Sequence, residues 1–347
     1  MISILDCLNY FGIESWNNDL ILQEYQRPHR FWHTLKHVEY LLDAIEELDM
    51  SYKDTMILAT VAIFHDIVFF PNYDKNEWAS SKIFSSLASE GDVSEVVKII
   101  QGTAIGVETT ELGEIFNGLD SSILSSESLP ELIDYENKIF KEFQSYSYLD
   151  YKKGRIKFLE ENLVSPQKDN LISYVKNRRL NIGLYAGSFN PFHKGHLSVL
   201  ESAESMGFDK VIVAIGNNDA KATKIPVGFK KKYTNDSLGF RRVVVYNGLL
   251  GNFIKKLEND GQNVTLIRGL RTGEDLNYEM NLLAYLRETN IDIKACHILC
   301  KPEYSHISSS AIRSLWSTPD GEELASKFRL EDYNTVLGIG LDQVIGS

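Results

Sequence analysis

Two groups of residues in this 347-residue chain are of types and spacings that could do chemistry. The first is a set of imidazoles and carboxylates. His33 and His37 are four apart, which places both on one face of an expected helix; His65 and Asp66 end an apolar run, and Asp120 closes a later polar stretch. Two imidazoles and two carboxylates brought from three helices can enclose a divalent cation with mixed N and O ligands, Asp66 being placed to bridge to a second one. An HxxxH pair alone is commonly inert, and a His-Asp helix end can be a simple cap; the weight lies in the whole set. The second group lies in IGLYAGSFNPFHKGHLSVLESA, where a strand enters a Gly-containing turn and His193-Lys194-Gly195-His196 opens a helix. Backbone N–H groups at a helix start suit phosphate. Gly187 and Gly195 allow close backbone approach there.

The elements that must carry these groups differ between the halves. Up to about residue 176 the apolar spacing is helical throughout: HTLKHVEYLLDAIEEL (33–48), the buried run TMILATVAIFH (55–65), SEVVKIIQGTA, ELIDYENKIFKEFQSY and GRIKFLEENL. This predicts an all-α bundle. After residues 177–179 the runs become short and β-rich, as in IGLYAG, KVIVAIG, VTLIRG and IKACHIL, each leading into a loop or helix. Strands alternating with helices predict a parallel, doubly wound α/β sheet. The expected domains are therefore 1–177 and 178–347.

Charge divides at the same place. Residues 1–176 hold 15 Lys+Arg against 29 Asp+Glu, and residues 177–347 hold 21 against 19, within a net charge of −12. The acidic balance, with no basic stripe carrying stacking aromatics, argues against a nucleic-acid partner. Cys7, Cys296 and Cys300 are too few for a disulfide framework and lack zinc spacing, which fits a reducing cytoplasm. No apolar stretch approaches the roughly 18 residues of a membrane span, and no secretory leader is expected from MISILDCLNYFG.

The first set resembles the HD-domain metal-dependent phosphohydrolases. FWHTLKHVEYLL is similar to the YHxxxH opening of small bacterial members, with NEWAS (76–80) and YKKGR (151–155) as further landmarks, over about residues 20–165. The resemblance implies His37, His65, Asp66 and Asp120 as ligands of Mg²⁺ or a divalent transition metal, and His33 as the acid that protonates the leaving oxygen. The chain departs from the subgroup at Gly106 and Gly118. A bound cation lowers the pKa of water to about 7, and an imidazole with a pKa of about 6.5 can donate a proton at neutral pH.

The second set resembles the HxGH superfamily of nucleotidyltransferases, and most of all phosphopantetheine adenylyltransferase. VTLIRGLRTGEDLNYEM (264–280) matches its RGLR…DxxYE segment, and YSHISSSAIRSL (304–315) its ISSS segment with Tyr304 in place of Trp, over about residues 182–317. The resemblance implies that His196 stabilises the α-phosphoryl transition state, with His193 at the first motif position. It implies that Ser188, Lys221 and Arg268 meet the acceptor phosphate and Leu250 the pantetheine arm. Phe189, Gly269, Arg271, Glu279, Tyr304, Ser308, Ser309 and Ser310 are then the ATP set, with Mg²⁺ accompanying the triphosphate. GSFNP openings, with Asn190 in place of Asp, also occur in nicotinamide-mononucleotide adenylyltransferases.

The expectation is thus a cytoplasmic, homo-oligomeric, bifunctional enzyme. Its partners are ATP and a small phosphorylated acceptor, with phosphopantetheine favoured. The alternative is a nicotinamide or nicotinate mononucleotide adenylyltransferase whose HD half binds nucleotide and regulates without turnover.

Overall fold

A computed structural model describes residues 2–217, 226–271, 273–288, 293–316, 318 and 321–330. They divide into two compact units, one of residues 2–143 and 148–176, the other of residues 144–147 and 177–330. The turn 144–147, expected in the first domain, belongs to the second unit. Lys210 Nζ donates to Tyr146 O at 2.6 Å and Arg242 Nη1 to Ser145 O at 3.0 Å, which holds that backbone against the sheet.

The first unit is helical: α1 (Ile4–Tyr10), α2 (Asn17–Tyr25), α3 (Leu35–Glu46), α4 (Tyr52–Phe64), α5 (Asn76–Leu87), α6 (Val93–Gln101), α7 (Glu111–Asp120), α8 (Leu129–Glu142), α9 (Tyr148–Asn162) and α10 (Lys168–Asn177, its last residue counted with the second unit). α4 buries every residue from Met56 to Phe64, so it shows no polar face and forms the axis of the core. Its start is set by Ser51, whose side chain accepts from the Asp54 N–H. α3 packs on it through Val38, Leu41, Leu42 and Ile45, and α7 ends at Asp120. One expectation is corrected. His33 is not on the helix with His37, because α3 begins at Leu35 and Thr34 is its extended N-cap. The backbone N–H groups of residues 31–33 are instead held by a carboxylate from α8, described below.

The second unit is a five-stranded, all-parallel sheet: β1 (Asn181–Gly187), β2 (Lys210–Asn217), β3 (Arg242–Asn247), β4 (Asn263–Leu270) and β5 (Lys294–Leu299), in the order β3-β2-β1-β4-β5. Helices α11 (Lys194–Glu204), α12 (Val227–Leu238), α13 (Leu250–Asn259), α14 (Gly273–Glu288), α15 (Ser309–Trp316) and α16 (Gly321–Ser326) follow or connect the strands. β1 is buried from Ile182 to Ala186, as a central strand covered on both faces must be. β3, RVVVYN, was not among the expected strands, although its β-branched run is the usual strand signal. The chain runs outward from β1 through β2 to β3, then returns to β4 on the other side of β1. Ligands of open α/β sheets bind at such a reversal, beyond the strand C-termini.

Candidate active sites

In the second unit a cavity of about 340 Å³ opens at the reversal, beyond β1 and β4, over the start of α11. Ser188, Phe189, His193, His196, Arg268, Gly269, Arg271, Glu279, Ser308, Ser309 and Ser310 all line it. Of the other expected residues, Leu250 starts α13 and does not line this cavity, nor does Tyr304, whose backbone carbonyl lies behind Gly195. Lys221 lies outside the described residues.

The histidine pair is built into the helix start. His193 is the extended N-cap of α11, and its backbone N–H donates to His196 Nδ1 at 3.3 Å. The two rings stack with centroids 3.7 Å apart, and Phe189 meets His196 edge-on at 5.1 Å. Burial, then the neighbouring His193 and Arg271, hold the His196 imidazolium far below the usual histidine range. Burial and Arg271 lower His193 to about 4. His196 is therefore neutral at pH 7 with Nδ1 accepting, which leaves the proton on Nε2 as a donor for an anionic oxygen.

Space for a ligand is made by glycines and by a strained residue. A Cβ on Gly195 would lie 3.1 Å from the His193 ring, and one on Gly187 2.8 Å from the Phe189 ring. Phe189 itself has φ of 39°, a conformation that costs a non-glycine residue free energy and is held here by its burial against Tyr185, Phe192 and His196.

The arginines are positioned by acids that the sequence reading had not paired with them. Arg268 donates from Nε and Nη2 to the two carboxylate oxygens of Glu279, each at 2.6 Å, and from Nη1 to Ala186 O. Arg271, more exposed, meets Asp275 through Nε and Nη2 at 3.2 Å, and Asp275 also accepts from the Arg271 backbone N–H. Asp275 and Tyr278 line the cavity too. Their place in DxxYE, one helical turn from the arginine loop, was the available signal.

In the first unit three of the four expected ligands come together, while Asp66 lies beside His65 but outside that group of three. Single ligand atoms of His37, His65 and Asp120 all lie within 4.8 Å of one another. His37 Nε2 is 2.8 Å from Asp120 Oδ1; His65 Nε2 is 3.1 Å from Asp66 Oδ2 and 3.5 Å from Asp120 Oδ1. The His65 Nδ1–H donates to Ala62 O at 3.1 Å, which leaves Nε2 turned toward two carboxylates; burial opposes the imidazolium, but Asp66 and Asp120 outweigh it and hold His65 well above the usual histidine range. That Nε2 is buried and no atom is placed to hydrogen-bond it. Burial opposes charge at Asp66 and Asp120, but the surrounding histidines outweigh it and hold both carboxyls far below their usual range.

His33 stands beside this cluster, its Nε2 3.9 Å from Asp66 Oδ2. Its Nδ1 is 2.7 Å from Glu142 Oε2, while Oε1 of the same fully buried carboxylate accepts the backbone N–H groups of Phe31, Trp32 and His33 at 2.7–3.0 Å. Burial alone would lower the His33 imidazolium; Glu142 and Asp66 reverse this and raise it. Glu142 went unnoticed in the sequence because 109 residues separate it from His33. Among the described residues, no helix is long and apolar enough to cross a membrane.

Comparison with known proteins bears on the second site. A family model described as cytidylyltransferase-like matches residues 184–315. Phosphopantetheine adenylyltransferase of Clostridium perfringens is 36% identical over 141 residues, covering 40% of this chain and 83% of that protein. The enzymes of the same name from Streptococcus pneumoniae and Buchnera aphidicola are 34% and 35% identical over 138 residues, 39% of this chain and 82% and 81% of theirs. A solved Vibrio parahaemolyticus structure described as a nicotinate-nucleotide adenylyltransferase aligns over 42% of this chain and 98% of its own. Its identity of 20% and TM-score of 0.30 are too low to weigh on the choice of acceptor. By these matches the chain belongs, through residues 184–315, to the cytidylyltransferase-like family, and its second half is an adenylyltransferase domain.

Proposed function

We propose that the chain is a bifunctional enzyme. Its second half transfers AMP from ATP to 4′-phosphopantetheine, giving dephospho-CoA and pyrophosphate. Its helical half hydrolyses a phosphate ester or nucleotide with the help of a divalent cation. The observation that carries the transferase reading is the neutral His196, its Nδ1 engaged by the helix start and its Nε2 proton turned to the cavity that Arg271 and Ser308–Ser310 share.

In this reading an acceptor phosphate oxygen attacks the α-phosphorus of ATP in line, the Pα–O bond to the β-phosphate breaks, and pyrophosphate leaves. No protein nucleophile is needed, so rate comes from positioning and charge. His196 donates to an α-phosphoryl oxygen; its neutrality matters because it donates without giving up a proton. Arg271 and the serines take the triphosphate, with Mg²⁺ neutralising it, near the start of α11. Arg268, oriented by Glu279, faces the acceptor phosphate with Ser188 and Lys221. The relatives' names support phosphopantetheine, as do the RGLR and DxxYE segments. Pyrophosphate release from ATP, measured with phosphopantetheine, nicotinamide mononucleotide and nicotinate mononucleotide in turn, tests this. Release with phosphopantetheine alone is expected; release only with a pyridine mononucleotide replaces the acceptor, and none with any of the three refutes the reading.

For the helical half, the HD-type reading rests on the fit of residues to a cation. The orphaned Nε2 of His65, facing two ionised carboxylates, is what a divalent ion would satisfy. His37, His65, Asp66 and Asp120 would hold it, and when bound it would supply Lewis acidity for water at neutral pH. His33 holds a proton on Nε2 for the leaving oxygen, its ring fixed by Glu142. Hydrolysis of a nucleotide and phosphomonoester panel with Mn²⁺ should disappear in His65→Ala/Asp66→Ala. Equal rates in parent and variant would leave this half as a nucleotide-binding regulatory domain.

A further inference from the structure

Beside His37 and Asp120 the helical unit contains a second and larger cavity, of about 1300 Å³, that the proposed metal chemistry does not by itself explain. Its wall includes Arg30, which is 6% exposed. The guanidinium donates from Nη1 to His33 O at 3.1 Å and from Nη2 to Ile67 O at 3.0 Å, and it lies over the Tyr25 ring at 4.8 Å. Both hydrogen-bond partners are neutral carbonyls. Among the described residues no carboxylate forms an ion pair with it, and its buried Nε has no acceptor. A guanidinium carries five N–H donors, and a buried cation without a paired anion is costly. A perturbed charge of this kind on a cavity wall marks a candidate functional site.

The nearby negative charges sharpen the point. Asp66, Glu24 and Glu142 contribute to the field at Arg30, none of them in contact with it, and Asp66 is also a proposed cation ligand. A cation there would cancel the Asp66 part of that compensation and add a second positive centre. The other cavity walls combine aromatic and aliphatic side chains, Trp32, Tyr40 and Ile123 among them, with Lys36 and Lys138 and with the carboxylates Glu39, Glu131 and Asp134. One buried guanidinium beside aromatic walls, with carboxylates around the rest of the lining that repel a polyanion, suits an organic phosphate with a bulky or aromatic remainder better than pyrophosphate or another small polyanion.

We propose that Arg30 is the phosphate-binding residue of the helical half, and that the adjoining cavity takes the organic remainder of a phosphate ester. This rests on the reading of that half as metal-dependent. The test uses the full chain, with Arg30→Gln and Arg30→Lys. Mn²⁺ stoichiometry, measured first by calorimetry, establishes that each variant is folded at the site. Inorganic phosphate, pyrophosphate and a nucleoside monophosphate are then titrated into Mn²⁺-loaded protein, and each effect is taken as the difference from parent, so that binding at the transferase cavity cancels. Arg30→Gln should weaken phosphate binding at this site at least 10-fold, with Arg30→Lys intermediate because it keeps the charge but loses the planar fork. Where hydrolysis is measurable, KM should rise more than kcat falls.

Phosphate affinity within twofold of parent in Arg30→Gln overturns the assignment, even if His65→Ala/Asp66→Ala abolishes hydrolysis and the metal reading stands. Conversely, absence of hydrolysis in the parent counts against the metal reading, while the calorimetric difference still decides Arg30. Tighter retention of pyrophosphate than of the nucleoside monophosphate would overturn the organic-remainder part.

Discussion

The Arg268–Glu279 pair is the place where stability and function of the transferase half should separate. Each of two guanidinium nitrogens meets its own carboxylate oxygen at 2.6 Å, with side-chain exposures of 18% and 7%. Removing one partner of a buried pair costs about 3–5 kcal/mol because the other charge is left uncompensated. Arg268 retains some access to water, which reduces the expected cost of Glu279→Ala to about 2–3 kcal/mol. For a unit of about 150 residues, each kcal/mol shifts Tm by roughly 2–4 °C, so the calorimetric transition of this unit should fall by about 4–12 °C. Replacing both residues with apolar ones, R268M/E279L, removes the stranded charge and should recover to within about 1 kcal/mol of the parent. Transferase activity should not return with it, since the guanidinium facing the acceptor is gone. Two results would sink this reasoning. One is a Glu279→Ala transition within about 1 °C of the parent, which would mean that solvent screens the pair. The other is a double variant destabilised by the sum of the singles, which would mean that the two residues do not couple.

Other consequences can be measured directly. His196→Gln should lower kcat for pyrophosphate release by about 10²–10³, with little change in the KM for ATP, as for other removed oxyanion donors. His193, held at about 4 by burial and then by Arg271, binds its proton less readily folded than unfolded. Its contribution of up to about 3 kcal/mol should therefore be lost as pH falls from about 6.5 toward 4, with no further loss below that. His193→Gln should reduce the slope in that window in pH-dependent denaturation curves, the remainder coming from groups such as His196 that are also held below their ordinary range. Mn²⁺ at 100 times its Kd should stabilise the helical unit by about 2.7 kcal/mol, and chelation should reverse this in the parent but not in His65→Ala/Asp66→Ala. Glu142→Ala strands three backbone N–H groups and an imidazole. It should cost about 3–5 kcal/mol in urea denaturation, whereas Glu142→Gln, which keeps an acceptor, should cost less.

Much of this site chemistry could be read along the chain because its parts are local. HKGH after a β-run reports a helix start, since capping, helix dipole and glycine clearance act within a few residues. RGLRTGEDLNYE places Arg268 near the end of β4 and Glu279 on α14, 11 residues apart, although their direct pairing could not be read from it. In the helical half, the residue types of the proposed metal set stand out in the sequence, but the helix expected to join His33 to His37 does not form. Local spacing favours continuing the helix through Thr34. Tertiary contacts win, because Glu142 supplies the acceptors that the N–H groups of residues 31–33 would otherwise seek within a helix.

The sequence by itself determined the alternation of elements, the two charge regimes and which residue types are available for the proposed phosphate and metal sites. These depend on composition and short-range periodicity, and both survive in one dimension. Only the tertiary structure decided their protonation and their partners. It made His196 neutral by burying it under Phe189 and Phe192, left His65 Nε2 facing two carboxylates, and held Arg30 in the core without an anion. Those outcomes depend on desolvation and on neighbours tens of residues away along the chain, which no local pattern encodes.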